Sequence, residues 1–402
     1  MSDFFTKQFV VEHLHSDVNA LLLQKSRFPK IDWPFAVAQI EGRQKVLHKL
    51  PTFVQNLNIV FPKKLSVEQC SSELTAGYKS QFAVNKRVLD ATGGFGVDSF
   101  YLAKQAQSVT YLEQQADLCE VAKHNFAELK AENITVFNSN SIDFLQHQTE
   151  PYDLIYIDPA RRGAHNSKKF LLSDCEPDVV QHWDLISQHT SEILIKASPM
   201  LDISLAMAQL RDVAEVHVIS VKNECKEILF YCKKGAKFRG ITCVNLDTKN
   251  DMDNHVGVEN FQPLQFSPDD ERQAIPIYTD FAKHPPKYIY DPFVCLTKAG
   301  AFKILCKAFG VEKMSQHAHL YTSPNYVPNF PGRHFEILTI GDKQAFSKPP
   351  INSKANIVCK HFPRTPEDIR KAYKIADGGD YFLFFTTDQF NQKVYLSVKR
   401  IN

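Results

Sequence analysis

The sequence predicts an α/β fold in which a largely parallel sheet carries helices on both faces. Three observations support that class. Short β-rich runs alternate with helical segments from about residue 86 to residue 235, a glycine-rich loop follows the first run, and the last two runs are separated by only a short polar connection. With 402 residues the chain exceeds what one hydrophobic core usually organises, so it should divide into two or three domains.

Each segment has its own reason. Residues 1–80 read as an N-terminal helical region, because apolar residues recur at helical spacing in Val10, Leu14, Val18, Leu21 and again in Phe35, Ile40, Val46, Leu47. Pro29, Pro34, Pro51 and Pro62 cut it into short helices. Residues 81–235 form the sheet domain, with parallel strands starting at Arg87, Ser108, Ile134, Leu154 and Ile193. The runs starting at Val216 and Glu227, joined by Lys222 to Lys226, should close the sheet as an antiparallel pair. Residues 236–275 are turn-rich and carry an acidic stretch with Asp247, Asp251, Asp253, Asp269 and Asp270, which reads as a hairpin extension or linker. Residues 276–325 and 326–402 then read as two small α+β domains.

Composition bounds the function. A chain that is 44% hydrophobic and 23% charged is globular, neither disordered nor fibrous. Its 47 Lys and Arg against 45 Asp and Glu leave a net charge of +2, which excludes a histone-like polycation and makes any basic surface local. The N-terminus lacks the order of a signal peptide and no apolar run could span a bilayer, so a soluble, cytoplasmic chain without a membrane partner is expected. The nine cysteines form no C-x-x-C pair and several sit in apolar surroundings, which predicts buried free thiols and no metal.

The most informative stretch is Asp90-Ala91-Thr92-Gly93-Gly94-Phe95-Gly96-Val97-Asp98-Ser99, a strand end running into a glycine loop and a helix. Glycine lets the backbone turn tightly and approach a ligand. The next strand ends in Glu113, where Rossmann-type sites bind ribose hydroxyls. Here the chain resembles the class I S-adenosylmethionine (SAM) dependent methyltransferases. An acid at position 90 opposes a pyrophosphate but suits the methionine ammonium, which favours SAM over NAD. The resemblance implies a Rossmann-like seven-stranded methyltransferase sheet. It also implies that SAM lies on Thr92, Gly93, Gly94 and Gly96, with Asp90 on the methionine amine and Glu113 on the ribose. Thr92 stands where the family usually has glycine. The adenine reader falls in Asn138-Ser139-Asn140-Ser141-Ile142-Asp143, with Asn140 and Asp143 both open and Ser141 between them.

The fourth strand delivers Asp158-Pro159-Ala160-Arg161-Arg162-Gly163 to the sheet's C-terminal edge, where open α/β sheets bind ligands. It resembles the D-P-P-R-x-G motif of the C5-uridine RNA methyltransferases. Those enzymes need a cysteine nucleophile after the fifth strand, and here Ile195-Lys196-Ala197-Ser198-Pro199 has Ala197 in that place, which argues against covalent chemistry. Direct transfer to a base nitrogen, or to a ribose or other oxygen, remains. Asp158 and Pro159 are then candidates at the reacting centre and Arg161 and Arg162 candidates for gripping substrate, against the plainer readings of a strand terminator and surface ion pairs. The glycine loop also resembles that of the small-subunit rRNA guanine-N2 methyltransferases.

Two flanking features complete the sequence evidence. Residues 67–79 combine polar side chains with a helix start where many SAM enzymes cap the methionine end, or simply cap a helix. Near the C-terminus Arg370, Lys371 and Lys374 lie on one short helix that could track a phosphate backbone or merely face solvent. Together with Tyr288-Ile289-Tyr290-Asp291-Pro292 and Lys298-Ala299-Gly300-Ala301-Phe302, these motifs resemble the bacterial class I methyltransferases that carry a ferredoxin-like insert, here 276–325, and a THUMP-like C-terminal domain, here 326–402. That resemblance implies an RNA substrate, tRNA or rRNA. The competing expectations are a non-catalytic SAM-binding RNA assembly factor and a protein or small-molecule methyltransferase.

Overall fold

The computed structural model describes residues 4–62, 69–161, 171–247, 263–281, 283–341 and 354–401. Arg162 and most of the acidic stretch 248–262 lie outside these residues, as do 67 and 68 of the segment before the glycine loop. The described chain falls into two compact units, one of residues 4–216 and 227–238, the other of 217–226, 239–247 and 263–401.

The first unit opens with four short helices, α1 Phe4–Glu12, α2 Val18–Leu23, α3 Trp33–Val46 and α4 Pro51–Gln55. Asp17 and Asp32 accept backbone N–H groups at the starts of α2 and α3, and proline occupies the first turns of α3 and α4, where its missing N–H costs nothing. Phe9, Val18, Leu21, Trp33 and Ile40 make one small core, while Val46, Leu50 and Phe53 join a larger core with Phe95, Phe100, Tyr111 and Phe126. The helical lead-in thereby packs directly beneath the glycine loop.

After α5, Glu73–Ser80, the sheet begins with β1 Arg87–Asp90, followed by α6 Val97–Ala103, β2 Ser108–Glu113, α7 Ala116–Glu128, β3 Ile134–Asn138, α8 Ser141–His147 and β4 Leu154–Ile157. Then come α9 Trp183–His189, β5 Glu192–Ala197, α10 Ile203–Gln209, β6 Val213–Val221 and β7 Glu224–Lys233. These seven strands lie in the order β3-β2-β1-β4-β5-β7-β6 within a sheet of nine, two strands more than the seven expected, because the chain adds another antiparallel pair after them. The first five strands pair in parallel and β7 runs antiparallel to β5, the expected closing hairpin. The chain leaves β1 in one direction to β2 and β3, then jumps to β4 on the other side. That reversal opens a crevice at the C-terminal ends of β1 and β4, because the two crossover connections diverge there.

The second unit takes the outer end of β6, then β8 Gly240–Leu246 paired antiparallel with β9 Leu264–Phe266, and α11 Pro268–Gln273. A second sheet follows, built from β10 Tyr288–Pro292, β11 Tyr321–Ser323, β12 Gly332–Gly341, β13 Asn356–Cys359, β14 Tyr381–Thr387 and β15 Lys393–Arg400, with the short strand Glu312–Lys313 on its edge beside β11. Its helices are α12 Val294–Ala299, α13 Ile304–Phe309 and α14 Pro366–Tyr373. β12 pairs with β10 on one side and β15 on the other, so the segments read as two small domains share one continuous sheet. One of its faces buries Ile289, Leu320, Phe335 and Phe384, while α14 covers the other over Ile357, Leu383 and Phe385.

Candidate functional site

β1 ends in Asp90, and the loop from Ala91 to Gly96 turns across the sheet edge into α6. Gly93 is required by packing: a Cβ there would stand 2.1 Å from the Tyr111 ring. Gly94 is required by backbone, with φ of +55°, a left-handed conformation that side chains disfavour. Its N–H donates to Glu113 Oε2 at 3.0 Å, and Tyr111 OH donates to its carbonyl at 2.6 Å. Thr92 Oγ1 accepts the Asp158 N–H at 2.7 Å, which ties the loop to the end of β4.

These elements frame a cleft of about 570 Å3, a volume suited to a nucleoside-sized ligand. Its lining joins the glycine loop to Glu113 at the end of β2, to Ser139, Asn140 and Ser141 after β3, and to Asp158 after β4. Lys196 of β5 completes it, and Arg161 and Glu176 line its mouth. Arg161 is exposed and belongs to a two-residue ribbon, Ala160 and Arg161 paired antiparallel with Cys175 and Glu176.

Charge is concentrated at the floor. Asp158 Oδ2 and Lys196 Nζ form an ion pair, and the nearby carboxylates of Asp158, Asp98 and Glu227 hold the buried Lys196 ammonium above its ordinary range against the desolvation that opposes it. Beside it Lys79, wholly buried, pairs with Asp98 at 3.0 Å and Glu227 at 2.9 Å. Ser71 and Tyr156 donate to Asp98 Oδ2 at 2.8 and 2.9 Å. Although burial opposes it, Asp98 is held below the usual carboxylate range by Lys79 and Lys196. The network thus presents ionised Asp98 to the cleft.

The donors and acceptors suit a nucleoside that carries a cationic tail. Glu113 offers carboxylate oxygens to a ribose diol, the polar bowl of Ser139 and Asn140 offers amide and hydroxyl groups to a base, and Asp98 offers negative charge to an ammonium. A pyrophosphate would meet three carboxylates, Glu113, Asp98 and Asp158.

Comparison with known proteins agrees with this geometry. Family models match three stretches: "Conserved hypothetical protein 95" over 73–170, a ferredoxin-like domain over 288–331 and a THUMP domain-like family over 332–400. A solved protein of Porphyromonas gingivalis W83, assigned as a methyltransferase, is 30% identical, with 99% of this chain and 98% of that one covered and a TM-score of 0.85. The chain belongs to that methyltransferase family, with its ferredoxin-like and THUMP-like modules. Among curated relatives, an uncharacterised RNA methyltransferase of Mycoplasma mobile is 31% identical over 97 residues, which is 24% of this chain and 27% of the relative. The ribosomal RNA small subunit methyltransferase D of Escherichia coli K12 is 32% identical over 84 residues, 21% of this chain and 41% of the relative. The chain therefore spans less than half the length of either.

In this family member the expected residues separate into those that gather and those that do not. Thr92, Gly93, Gly94, Gly96, Glu113, Asn140, Ser141, Asp158 and Arg161 all line the cleft. Asp90 does not. It is fully buried, with Oδ1 accepting the Thr92 N–H at 3.0 Å and Oδ2 accepting the Ser99 hydroxyl at 2.5 Å, and burial pushes its carboxyl up to about 7. The acid facing the cleft at that end is Asp98, in the first turn of α6. Asp143 is exposed on α8 outside the lining, and Asn140 uses its Oδ1 to cap that helix through Ile142 N–H at 2.9 Å. Pro159 is half-buried outside the lining. Arg370, Lys371 and Lys374 lie in the second unit.

Sequence reasoning missed Lys79, Asp98, Lys196 and Glu227 as site residues. A signal existed for one of them, since Lys196 follows the apolar run Ile193-Leu194-Ile195 within its strand, and a charge in such a place is retained only with a partner. Among the described residues no group of three or more His, Cys, Asp and Glu gathers to hold a metal, and no helix is long and apolar enough to cross a membrane.

Proposed function

We propose that the chain is a SAM-dependent RNA methyltransferase that transfers the methyl group directly to a base nitrogen, or to a ribose or other oxygen. The observation that carries this reading is the placement of the Asp158–Lys196 pair on the floor of the same cleft that holds the Gly94–Glu113 contact. Bound SAM supplies a methyl group on a positively charged sulfur. Glu113 would accept the ribose hydroxyls, Asn140 and its neighbours would hold the adenine, and Asp98 would balance the methionine ammonium. Asp158 would accept a hydrogen bond from the N–H or O–H that is to be methylated and take its proton as the new carbon bond forms, the carbon–sulfur bond breaking with the neutral thioether as leaving group. Arg161, exposed at the mouth, grips a phosphate or base edge.

Covalent catalysis is disfavoured by the state of the nearby sulfurs. Ala197 occupies the strand position of a nucleophilic cysteine. Burial raises the thiol of Cys70, which lines the cleft, and that of Cys175 on the adjoining ribbon, so neither is poised as a thiolate. The RNA substrate is supported by the relatives' described activities and by the THUMP-like match.

The test is incubation of the protein with tritiated SAM and total RNA from a strain lacking this gene. Label in an RNA fraction, with one modified nucleoside missing from the deletion strain by mass spectrometry, is the expected result. Absence of label with folded protein that still binds SAM would overturn the reading.

A further inference from the structure

We propose that the second unit carries a binding site for the phosphate groups of a polynucleotide, formed where the turn bearing His317 and His319 faces the strand end bearing Lys360 and His361. The source of the phosphate rests on the RNA reading above; the site itself rests on the charges described here.

The first observation is a buried cation with no carboxylate in ion-pairing contact. Lys313 is 2% exposed, its ammonium donates to the Gln316 carbonyl at 2.5 Å, and among the described residues no carboxylate pairs with it. It lies over the Phe302 ring at 5.9 Å, and that ring stacks on His319 with centroids 3.9 Å apart. Glu271 acts on this charge only from beyond ion-pairing contact, so the Lys313 ammonium leaves positive potential at the turn.

The second observation is a carboxylate shared by two cations. Asp291 on β10 is buried and pairs with Arg333 of β12, and its other oxygen meets Lys360 Nζ at 3.2 Å. One negative charge cannot neutralise both, so Lys360 keeps attraction for a further anion.

The third is the pair of imidazoles beside them. The His317 and His361 rings lie 5.2 Å apart, both residues are exposed, and His361 Nδ1 contacts Thr387 Oγ1 at 2.9 Å. When Thr387 donates to Nδ1, the proton sits on Nε2, the ring nitrogen that Thr387 leaves free. His319 and His361 both hold left-handed backbone, with φ of +50° and +51°, a conformation that histidine accepts more readily than most side chains. Nδ1 of His319 is buried with no partner in the described structure.

The helix α14 is the poorer site. Arg370 is paired with Asp377, Asp368 caps the helix with Thr365, and Glu367 adds a third acid, so its cations are largely matched. At the turn and strand end Asp291 is the carboxylate in ion-pairing contact, with Glu271 and Glu367 acting from farther off.

The experiment is fluorescence anisotropy of the full-length protein with a fluorescein-labelled single-stranded U12 RNA across a salt series. H317Q/H361N keeps polar side chains and an asparagine that tolerates left-handed backbone; adding K360Q completes the set. The expected result is a loss of about tenfold or more in affinity and a salt slope shallower by about one to two, while K371Q/K374Q stays within about twofold. Inorganic phosphate should displace the U12 and shift the ring signals of His317 and His361 by NMR. Wild-type affinity in the triple variant overturns the proposal. So does a phosphate-induced shift of the two rings combined with RNA binding that ignores them, because the site would then take a free anion. Histidine-dependent U12 binding without methyl transfer supports this site while refuting the methyltransferase reading.

Discussion

Asp158 and Lys196 stand side by side at the ends of two adjacent parallel strands. The register of β4 and β5 aligns Ile157 with Ile195, so Asp158, just past the end of β4, comes level with Lys196, still within β5, and the two side chains meet as an ion pair. Parallel neighbours in register point to the same face, which brings both into the cleft. For D158N we expect a fall of about 10^2 to 10^3 in the single-turnover methylation rate, with SAM affinity by calorimetry within about threefold. K196M should lower the rate in the same direction, by leaving Asp158 without its anchor. A D158N rate near wild type would remove Asp158 from the reacting centre.

Glu113 is the contact most specific to the cofactor end. It braces the loop through Gly94 N–H and the start of the next segment through Gln115 N–H at 2.8 Å. E113A should therefore weaken SAM binding by about 1.5–3 kcal/mol, the usual worth of a hydrogen bond to a charged group, read as a rise in the calorimetric Kd. Retention of wild-type Kd would count against ribose recognition at this residue.

The buried acid makes stability depend on pH. The Asp90 carboxyl, pushed up to about 7 by burial, binds its proton more tightly folded than unfolded. Its contribution is therefore full below the unfolded value near 3.9 and is lost as pH rises through about 7, with an upper bound of about 4 kcal/mol. Denaturant melts at pH 5 and pH 8 should show wild type losing more stability than D90N between them. Parallel losses in the two proteins would contradict it.

Lys79 holds two carboxylates inside the fold. Its side chain is wholly buried, and those of Asp98 and Glu227 are 11% and 3% exposed. K79M should cost about 3–5 kcal/mol, because both acids stay buried without their cation. K79M/E227Q should recover part of that loss. Equal urea midpoints for K79M and wild type would show that the network contributes no net stability.

Much of the catalytic architecture was readable along the chain. Gly93, Gly94 and Glu113 announced themselves because a glycine loop between strand and helix, followed by a strand ending in an acid, is a pattern of neighbouring residues. The hairpin of β6 and β7 was readable for the same reason. Asp90 misled because the strand-end acid has two places to turn, and only the packed interior shows that Ser99 and the Thr92 N–H draw it inward. Asp143 misled in a similar way, since one face of α8 meets the cleft edge and the other meets solvent.

By itself the sequence determined the order of strands and helices, the loop that demands glycine, and the absence of a cysteine nucleophile at position 197. These depend on local periodicity, on backbone conformations and on residue identity, none of which needs a distant partner. Tertiary structure alone decided which charges meet. Lys79 and Glu227 lie 148 positions apart, and Asp158 and Lys196 lie 38 apart. Their pairing follows from strand order and register, and Lys79 and Lys196, brought together this way, hold Asp98 at the cleft while Asp90 stays buried.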